Sequence, residues 1–188
     1  MGLYTQCVVD RETDSLEDAR RLGQQIIAWL VEVGIIENQL TDCALVEPGY
    51  PPGPHYWKAC DLLERYLPGT AHDGLLTLRT NGVQVFMDRY PFYIAQGDNG
   101  PARCPHCEAE KDLDTYYEAG GEWFEGGAGD LRCEACGEEA KVIRWKHDNL
   151  LFGTLGLVFW NWPSLSPGFL RELSERIGRS VSVIEGKA

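Results

Sequence analysis

The chain has 188 residues, of which 44% are hydrophobic and 11% aromatic, and 29 Asp and Glu against 17 Lys and Arg give a formal net charge of −12. This composition is typical of a globular protein and excludes a disordered one. No apolar run reaches the ~18 residues of a membrane span, and the first ten residues lack the basic and apolar regions of a signal peptide, so we expect a cytoplasmic protein without a membrane segment.

The chain opens with a predicted strand and a predicted long helix. Residues 3–9 are rich in β-forming side chains and predict the strand. Ser15, with Asp18 three residues later, can cap a helix, and Gly34 suits the left-handed residue that ends one. Between these caps, apolar residues recur every three or four positions and predict one buried face: Leu16, Ala19, Leu22, Ile26, Leu30 and Val33.

The next segment predicts a loop, a short helix and a hairpin. Four prolines between residues 44 and 54 remove backbone donors, so we expect a rigid loop. A short helix is expected at about 57–66. The Asn-Gly pair at 81–82 separates apolar runs at 75–80 and 83–88, and this pattern predicts a β-hairpin because both residues tolerate positive φ.

Further elements are predicted beyond residue 140: strands at 142–145 and 155–160, a helix that Ser166 and Pro167 begin and Gly178 ends, and a strand at 181–184. Strands and helices mix without a strict βαβ alternation, which favours an α+β fold. We expect one twisted, mostly antiparallel sheet with two main helices on one face. Residues 1–100 and 141–188 would together form this domain, and 101–140 an inserted subdomain.

Two pairs of cysteines carry the strongest chemical signal. Cys104 and Cys107 form one CxxC pair, and Cys133 and Cys136 form another after 25 intervening residues. A tight turn that carries CxxC directs both thiolates to one point, and two such turns complete the tetrahedral sulfur cage that Zn²⁺ accepts. We therefore predict that these four cysteines bind one structural Zn²⁺ ion.

The segment at about 103–140 resembles a zinc ribbon, a module of two such knuckles and a small antiparallel sheet. Glu108 stands where ribbons frequently have Gly, whereas Gly137 follows the second pair as usual. The resemblance implies a structural metal site and says little about activity, because ribbons serve nucleic-acid-binding, protein-binding and stabilising roles. Between the knuckles we expect a β-hairpin around the glycine pair 120–121, with four aromatic residues on its face: Tyr116, Tyr117, Trp123 and Phe124.

Other uses of the four cysteines fit the sequence less well. Disulfides conflict with a cytoplasmic protein and with the odd total of seven cysteines. A thioredoxin-like redox pair would open a helix within a βαβ unit, and a catalytic zinc would need an open fourth position. Iron also accepts four thiolates, and zinc is favoured by how often ribbons carry it. His106, inside the first knuckle, is expected to point outward.

The negative charge is concentrated in the ribbon segment. Residues 101–140 hold eleven acidic and three basic residues, whereas residues 141–188 hold four acidic and seven basic ones. Nucleic-acid binding needs a basic face, and the ribbon offers only Arg103, Lys111 and Arg132, so nucleic acid is a disfavoured partner.

Some remaining residues are weaker candidates for a site. Three cysteines share no ligand spacing and are expected to be buried apolar side chains: Cys7, Cys43 and Cys60. His55, Tyr56 and Asp61 follow the proline loop and could line a cleft as the acid and base groups of an enzyme. The His-Asp pairs at 72–73 and 147–148 are typical of turns. No P-loop, GxGxxG, nucleophile elbow or HExxH motif is present.

We therefore expect a non-enzymatic, zinc-stabilised protein that binds another protein. The acidic ribbon and its aromatic side chains would form the contact surface, and a basic protein surface would be the partner, as for immunity proteins that neutralise a basic toxin. The alternatives are an enzyme with a site near the proline loop and a nucleic-acid-associated ribbon. The sequence gives no signal of the oligomeric state.

Overall fold

The structure is a computed structural model that describes residues 3–45, 47–61, 73–95 and 100–187. Within these ranges the helices are α1 (Leu16–Glu32), α2 (Asp73–Thr77), α3 (Leu113–Phe124) and α4 (Pro167–Ile177). The strands are β1 (Tyr4–Asp10), β2 (Val83–Phe86), β3 (Tyr90–Tyr93), β4 (Ala102–Arg103), β5 (Glu110–Lys111), β6 (Asp130–Arg132), β7 (Glu139–Lys141), β8 (Leu150–Gly153), β9 (Leu155–Trp160) and β10 (Val181–Lys187). No helix in these ranges is long and apolar enough to cross a bilayer.

The largest sheet has four antiparallel strands in the order β10–β1–β9–β2. β1 lies between β10 and β9, with Val8 opposite both Val183 and Leu157. α1 and α4 pack against the sheet face that carries Val8, Leu157 and Phe159, and together they form one core. The prediction of a mixed α and β fold with antiparallel sheets is confirmed.

Both of these helices begin and end where the sequence predicts. The side chain of Ser15 accepts a hydrogen bond from a backbone N–H of the first turn of α1 at 3.3 Å, and Gly34 beyond its end has a φ of 75°. Ser166 caps α4 in the same way at 3.1 Å, and Gly178 ends that helix with a φ of 80°. The local cap residues are therefore sufficient to place these helix ends.

The opposite face of the large sheet packs against a second sheet, which β3 and β8 form as an antiparallel pair. Phe92 of β3 lies over Gly156 of β9, where a side chain would come within 3.0 Å of three atoms of the Phe92 ring. Cys7 and Val158 belong to the same buried cluster. The large sheet is thus covered on both faces.

A third buried cluster surrounds α3 and extends past residue 140 to Ile143, Trp145 and Phe152. The hairpin predicted between the cysteine pairs is wrong, because residues Leu113–Phe124 form this helix. Asp112 caps it by accepting the N–H of Thr115 at 2.8 Å. Its buried residues recur at helical spacing: Tyr116, Ala119, Gly120 and Trp123.

The hairpin predicted around residues 81–82 is also wrong. Residues Asp73–Thr77 are helical, and Val83–Phe86 pair with β9 instead. The N–H groups of Asn81 and Gly82 both donate to the carbonyl of Cys43, at 2.8 and 2.7 Å. A Cβ at Gly82 would overlap the sulfur of Cys43. Glycine is therefore required here because two chain segments approach closely, and not because the chain makes a tight turn.

Three shorter predictions have mixed outcomes. The strand predicted at 142–145 is wrong, because Val142–Arg144 forms a turn of 3-10 helix, in which the carbonyl of Ile143 accepts a hydrogen bond from Arg11. The short helix predicted at 57–66 is a 3-10 turn at Tyr56–Ala59, and residues 62–66 lie outside the described ranges. The predicted final strand is confirmed and extends to Lys187.

Candidate metal centre

The sulfur atoms of Cys104, Cys107, Cys133 and Cys136 all lie within 4.8 Å of one another. The sulfurs of Cys104 and Cys136 are 3.9 Å apart, and those of Cys107 and Cys133 are 3.6 Å apart. Tetrahedral zinc with Zn–S bonds of about 2.3 Å requires sulfur separations of roughly 3.8 Å. The donor set therefore fits a four-coordinate metal ion. All seven cysteines are free, so the disulfide alternative does not occur here.

Two short hairpins of matching geometry position the sulfurs. β4 and β5 flank the first cysteine pair, and β6 and β7 flank the second. In the first knuckle, the N–H of Glu108 donates to the carbonyl of Cys104 at 3.0 Å; in the second, the N–H of Gly137 donates to Cys133 at 2.9 Å. Glu108 and Gly137 both have positive φ, 59° and 78°. Glu108 thus adopts the conformation that favours glycine, as its place in the ribbon pattern implies.

Backbone N–H groups point at the sulfurs. The N–H of His106 donates to Cys104 at 3.4 Å, while the His106 side chain is exposed and outside the sulfur cluster. The N–H of Cys136 is the largest of the effects that lower the pKa of the Cys133 thiol to about 7. Such hydrogen bonds favour the thiolate, the form that binds a metal.

Not all four thiols favour the thiolate form when no cation balances their negative charge. The N–H of Ala109 favours the thiolate of Cys107, yet desolvation and hydrogen bonds to the other three sulfurs raise the pKa of Cys107 to about 12. Mutual repulsion opposes ionisation of four adjacent sulfurs. A divalent cation at their centre would relieve this repulsion, so the arrangement is better suited to the metal-bound state.

Two ion pairs lie beside the knuckles, and sequence reasoning missed both. Lys111 has a side chain only 9% exposed, and its Nζ lies 2.8 Å from a carboxylate oxygen of Glu134, which stands between the second pair of cysteines. Lys146 pairs with Glu108 of the first knuckle. The sequence offered one signal for the first pair: Lys111 is one of only three basic residues among the many acidic ones in 101–140.

No protein-family model matches the chain, and no curated protein and no solved structure shows significant similarity to it. The function of the chain must therefore be inferred from the geometry of the sulfur atoms and their surroundings. They identify four residues that can hold a metal ion, and four sulfurs would complete a tetrahedral set.

The aromatic surface predicted for this segment is only half present. Tyr116 and Trp123 are fully buried in the core around Phe152, so their assignment to a contact surface is wrong. Tyr117 and Phe124 are 42% and 52% exposed, and they lie seven residues apart on the outer side of α3. Residues seven positions apart lie on the same side of a helix. Tyr116 and Trp123 therefore share the buried side of α3, and Tyr117 and Phe124 share its exposed side.

The residues considered for an enzyme have separate surroundings. Tyr56 is buried, with its ring edge against Trp162 at 5.9 Å. His55 is exposed, and its Nδ1 lies 3.2 Å from the carbonyl of Val33 at the end of α1. Asp61 is exposed, and its N–H donates to the carbonyl of residue 164 at 2.7 Å. None of these contacts joins two of the three residues.

The other histidine pairs and cysteines have structural surroundings. His147 is buried, its Nδ1 accepts the N–H groups of Asn149 and Leu150 at 3.1 and 3.0 Å, and burial lowers its pKa. Asp148 pairs with Arg103. Of the pair at 72–73, the histidine lies outside the described residues. The prediction of buried apolar cysteines is confirmed for all three: Cys7, Cys43 and Cys60.

Proposed function

We propose that one Zn²⁺ ion binds to Cys104, Cys107, Cys133 and Cys136 and that residues 101–140 are an inserted zinc-ribbon subdomain in an α+β domain formed by 1–100 and 141–188. The sulfur separations of 3.6 and 3.9 Å carry this proposal. The ion would cross-link the two knuckles. It would not act as a Lewis acid, because four thiolates complete its coordination sphere. Four free thiols in one cluster are consistent with a cytoplasmic protein.

The ion would provide folding free energy that the segment otherwise lacks. Each knuckle strand has only two or three residues, too few for an isolated hairpin to be stable in water. Zinc binding contributes on the order of 10 kcal/mol in zinc-finger peptides. Removal of the metal should therefore unfold both knuckles.

Elemental analysis of protein purified without added metal tests this proposal. We expect one zinc per chain, which Cys107→Ser should reduce to well below one, while Cys43→Ser, outside the cluster, should retain it. Strong chelation should also abolish the dispersion of amide signals from the knuckles in NMR spectra. No bound metal, or iron with its visible absorbance, would reject the zinc site.

We further propose that the protein is not an enzyme and binds a basic protein surface through the outer side of α3. Its two exposed aromatic rings, Tyr117 and Phe124, are accompanied by three exposed carboxylates, Glu118 and Glu122 on the helix and Glu125 just after it. Aromatic side chains surrounded by charge are a common composition of protein interfaces. Neutralisation of a basic partner, as immunity proteins do, fits this chemistry.

The uncompensated charge of the segment supports binding to a basic partner. Of the eleven carboxylates in 101–140, only Glu108 and Glu134 form an ion pair with another described residue. Glu122 lies near the C-terminal end of α3, and Glu125 lies just beyond it, where negative charge opposes the helix dipole. These carboxylates therefore do not serve helix stability. A nucleic acid is less well supported, because Arg103 and Lys111 are already paired with carboxylates.

Affinity capture with immobilised protein tests this second proposal. We expect a partner of basic composition that is retained at low salt, released at high salt, and lost with the triple substitution Glu118→Gln, Glu122→Gln and Glu125→Gln. The matched control, with the same change in charge elsewhere, carries three other substitutions of exposed residues: Glu12→Gln, Glu37→Gln and Glu175→Gln. A partner whose affinity is the same at both salt concentrations, or is reduced equally by both sets, would reject the acidic face of α3.

A further inference from the structure

A cavity of about 260 Å³ lies on the face of the large sheet opposite α1 and α4. Thr5 and Cys7 of β1 and Val158 and Trp160 of β9 contribute to its floor, and they are direct cross-strand neighbours. Aromatic residues of β3 form a wall: Tyr90, Phe92 and Tyr93. The cavity is separate from the sulfur cluster, since no cysteine of that cluster lines it.

The hydroxyl of Thr5 is the unsatisfied polar group of this cavity. The residue is 2% exposed, and its Oγ1 has no hydrogen-bond partner in the described part of the chain. Gln84, also in the lining, is fully engaged: its Nε2 donates to the carbonyls of Leu45 and Glu47 at 2.9 and 2.8 Å, and its Oε1 accepts the indole N–H of Trp160 at 2.7 Å. Buried polar atoms normally have partners, so a ligand at Thr5 would complete the set.

The lining is electrically neutral. It contains no Asp, Glu, Lys, Arg or His among the described residues. Burial raises the pKa of the Cys7 thiol to about 12, so this group remains a neutral thiol at physiological pH. A charged ligand would lose its hydration without gaining a counter-ion, which excludes ions as occupants.

We propose that this cavity binds a neutral aromatic molecule of one or two rings whose hydroxyl or N–H group forms a hydrogen bond with Thr5 Oγ1. Aromatic walls suit a planar ring, which they can contact face-on or edge-on. An apolar cavity of roughly 150 Å³ already accommodates benzene, so the larger volume here leaves room for a second ring. The site is independent of the metal and of any protein partner.

Two exposed residues of the lining lie at and just beyond the end of β3, and we infer that the cavity opens there. Tyr93 is 63% exposed and Ala95 is exposed, and both belong to the lining. The chain is held in place here by two backbone hydrogen bonds, from Ile94 to Asn149 at 3.0 Å and from Ala95 to Lys187 at 2.9 Å. A side chain enlarged at residue 95 would therefore obstruct the opening without disturbing the backbone contacts.

Titration calorimetry with 2-naphthol, and with naphthalene as the ring lacking a polar group, tests the proposal. We expect saturable binding of 2-naphthol at one site per chain, abolished by Ala95→Trp and retained by the control Ala128→Trp, at an exposed loop residue outside the cavity lining. Thr5→Val, which keeps the shape of the side chain, should weaken 2-naphthol binding roughly 2- to 12-fold and leave naphthalene binding unchanged.

Thr5→Val should not destabilise the fold, because it removes an unpaired hydroxyl. Thermal unfolding of the variants without ligand therefore separates loss of binding from loss of structure. Absence of saturable binding to the wild-type protein, or binding that Ala95→Trp does not change, would overturn the site. Equal affinity of the wild-type protein and Thr5→Val for 2-naphthol would overturn the role of the hydroxyl.

Discussion

Two adjacent glycines in α3 should respond to alanine in opposite directions. Gly121 lies on the exposed side of the helix, where a Cβ would meet no other atom within 4 Å. Gly120 lies on the buried side, where a Cβ would come within 2.8 Å of three carbon atoms of the Phe152 ring. The two substitutions are chemically identical and one position apart, so each is the control for the other.

The magnitudes follow from helix propensity and packing. Alanine is more favourable than glycine in a helix interior by about 0.8–1.0 kcal/mol, so Gly121→Ala should raise the free energy of unfolding by about 1 kcal/mol and the Tm by about 2–4 °C. Gly120→Ala gains the same propensity, but overpacking a core costs typically about 1–3 kcal/mol. Phe152 has little room to move, because its ring edge is held against Tyr116 at 5.4 Å and Trp123 at 5.9 Å. We therefore expect a cost at the upper end of this range, about 3 kcal/mol, which leaves a net loss of about 2 kcal/mol after the gain in helix propensity.

Urea unfolding of both variants, measured with the same metal content, checks these values. The double substitution Gly120→Ala with Phe152→Leu should be less destabilising than the sum of its parts by about 1 kcal/mol, since the smaller side chain removes part of the conflict. If both alanines stabilise the protein equally, α3 does not pack on Phe152. The core described around this helix would then be refuted.

Three further predictions concern the knuckle, a buried histidine and the remaining thiols. Glu108→Gly and Glu108→Ala both remove the ion pair with Lys146, but only glycine adopts the positive φ without strain. In urea unfolding the glycine variant should therefore be more stable than the alanine variant by about 1 kcal/mol. Equal stabilities of the two variants would contradict this backbone conformation. Burial lowers the pKa of His147, so its contribution to stability is fully present above the unfolded-state pKa of about 6.5 and is lost as pH falls below it. His147→Asn, which keeps an acceptor for the same backbone N–H groups, should flatten that part of the stability–pH profile, and an unaltered slope would count against burial of the ring. Burial raises the pKa of Cys7 and Cys60 to about 12, so mass spectrometry should find both unmodified by iodoacetamide at pH 8 until the protein is denatured, whereas rapid labelling of the folded protein would exclude this burial.

The features predicted correctly from the sequence are those whose cause is local. Ser15 and Ser166 cap helices through hydrogen bonds within one turn, and Gly34 and Gly178 end them through a single backbone conformation. The convergence of the two sulfurs within each CxxC pair is local in the same sense, because the tight turn directs both to one point whatever surrounds it.

The predictions that are wrong involve glycines whose reason lies elsewhere in the chain. Gly82 is adjacent to Cys43, which is 39 residues away in sequence, and Gly120 adjoins Phe152 across 32 residues. In the sequence both glycines resemble turn residues, because the side chain that occupies the space next to each one is far away along the chain. The hydroxyl of Thr5, which has no hydrogen-bond partner among the described residues, could not be predicted either, because its surroundings depend on how three strands and a covering sheet assemble.

Two arginines connect the buried cluster around α3 to the ends of strands of the large sheet. Arg11, just after β1, donates to the carbonyls of Ile143 and Trp145, the first at 2.8 Å. Arg89, between β2 and β3, donates to the carbonyl of Trp123 at the end of α3 and to that of Gly127 at 2.8 Å. Hydrogen bonds to charged groups contribute about 1.5–3 kcal/mol each.

The buried cluster around α3 shares no residue with the cluster under α1 and α4, so the two cores can lose order separately. Loss of the metal would remove the cross-link between the knuckles and leave the cluster around α3 dependent on its own packing and on the two arginines. The four-stranded sheet keeps its own core in that event.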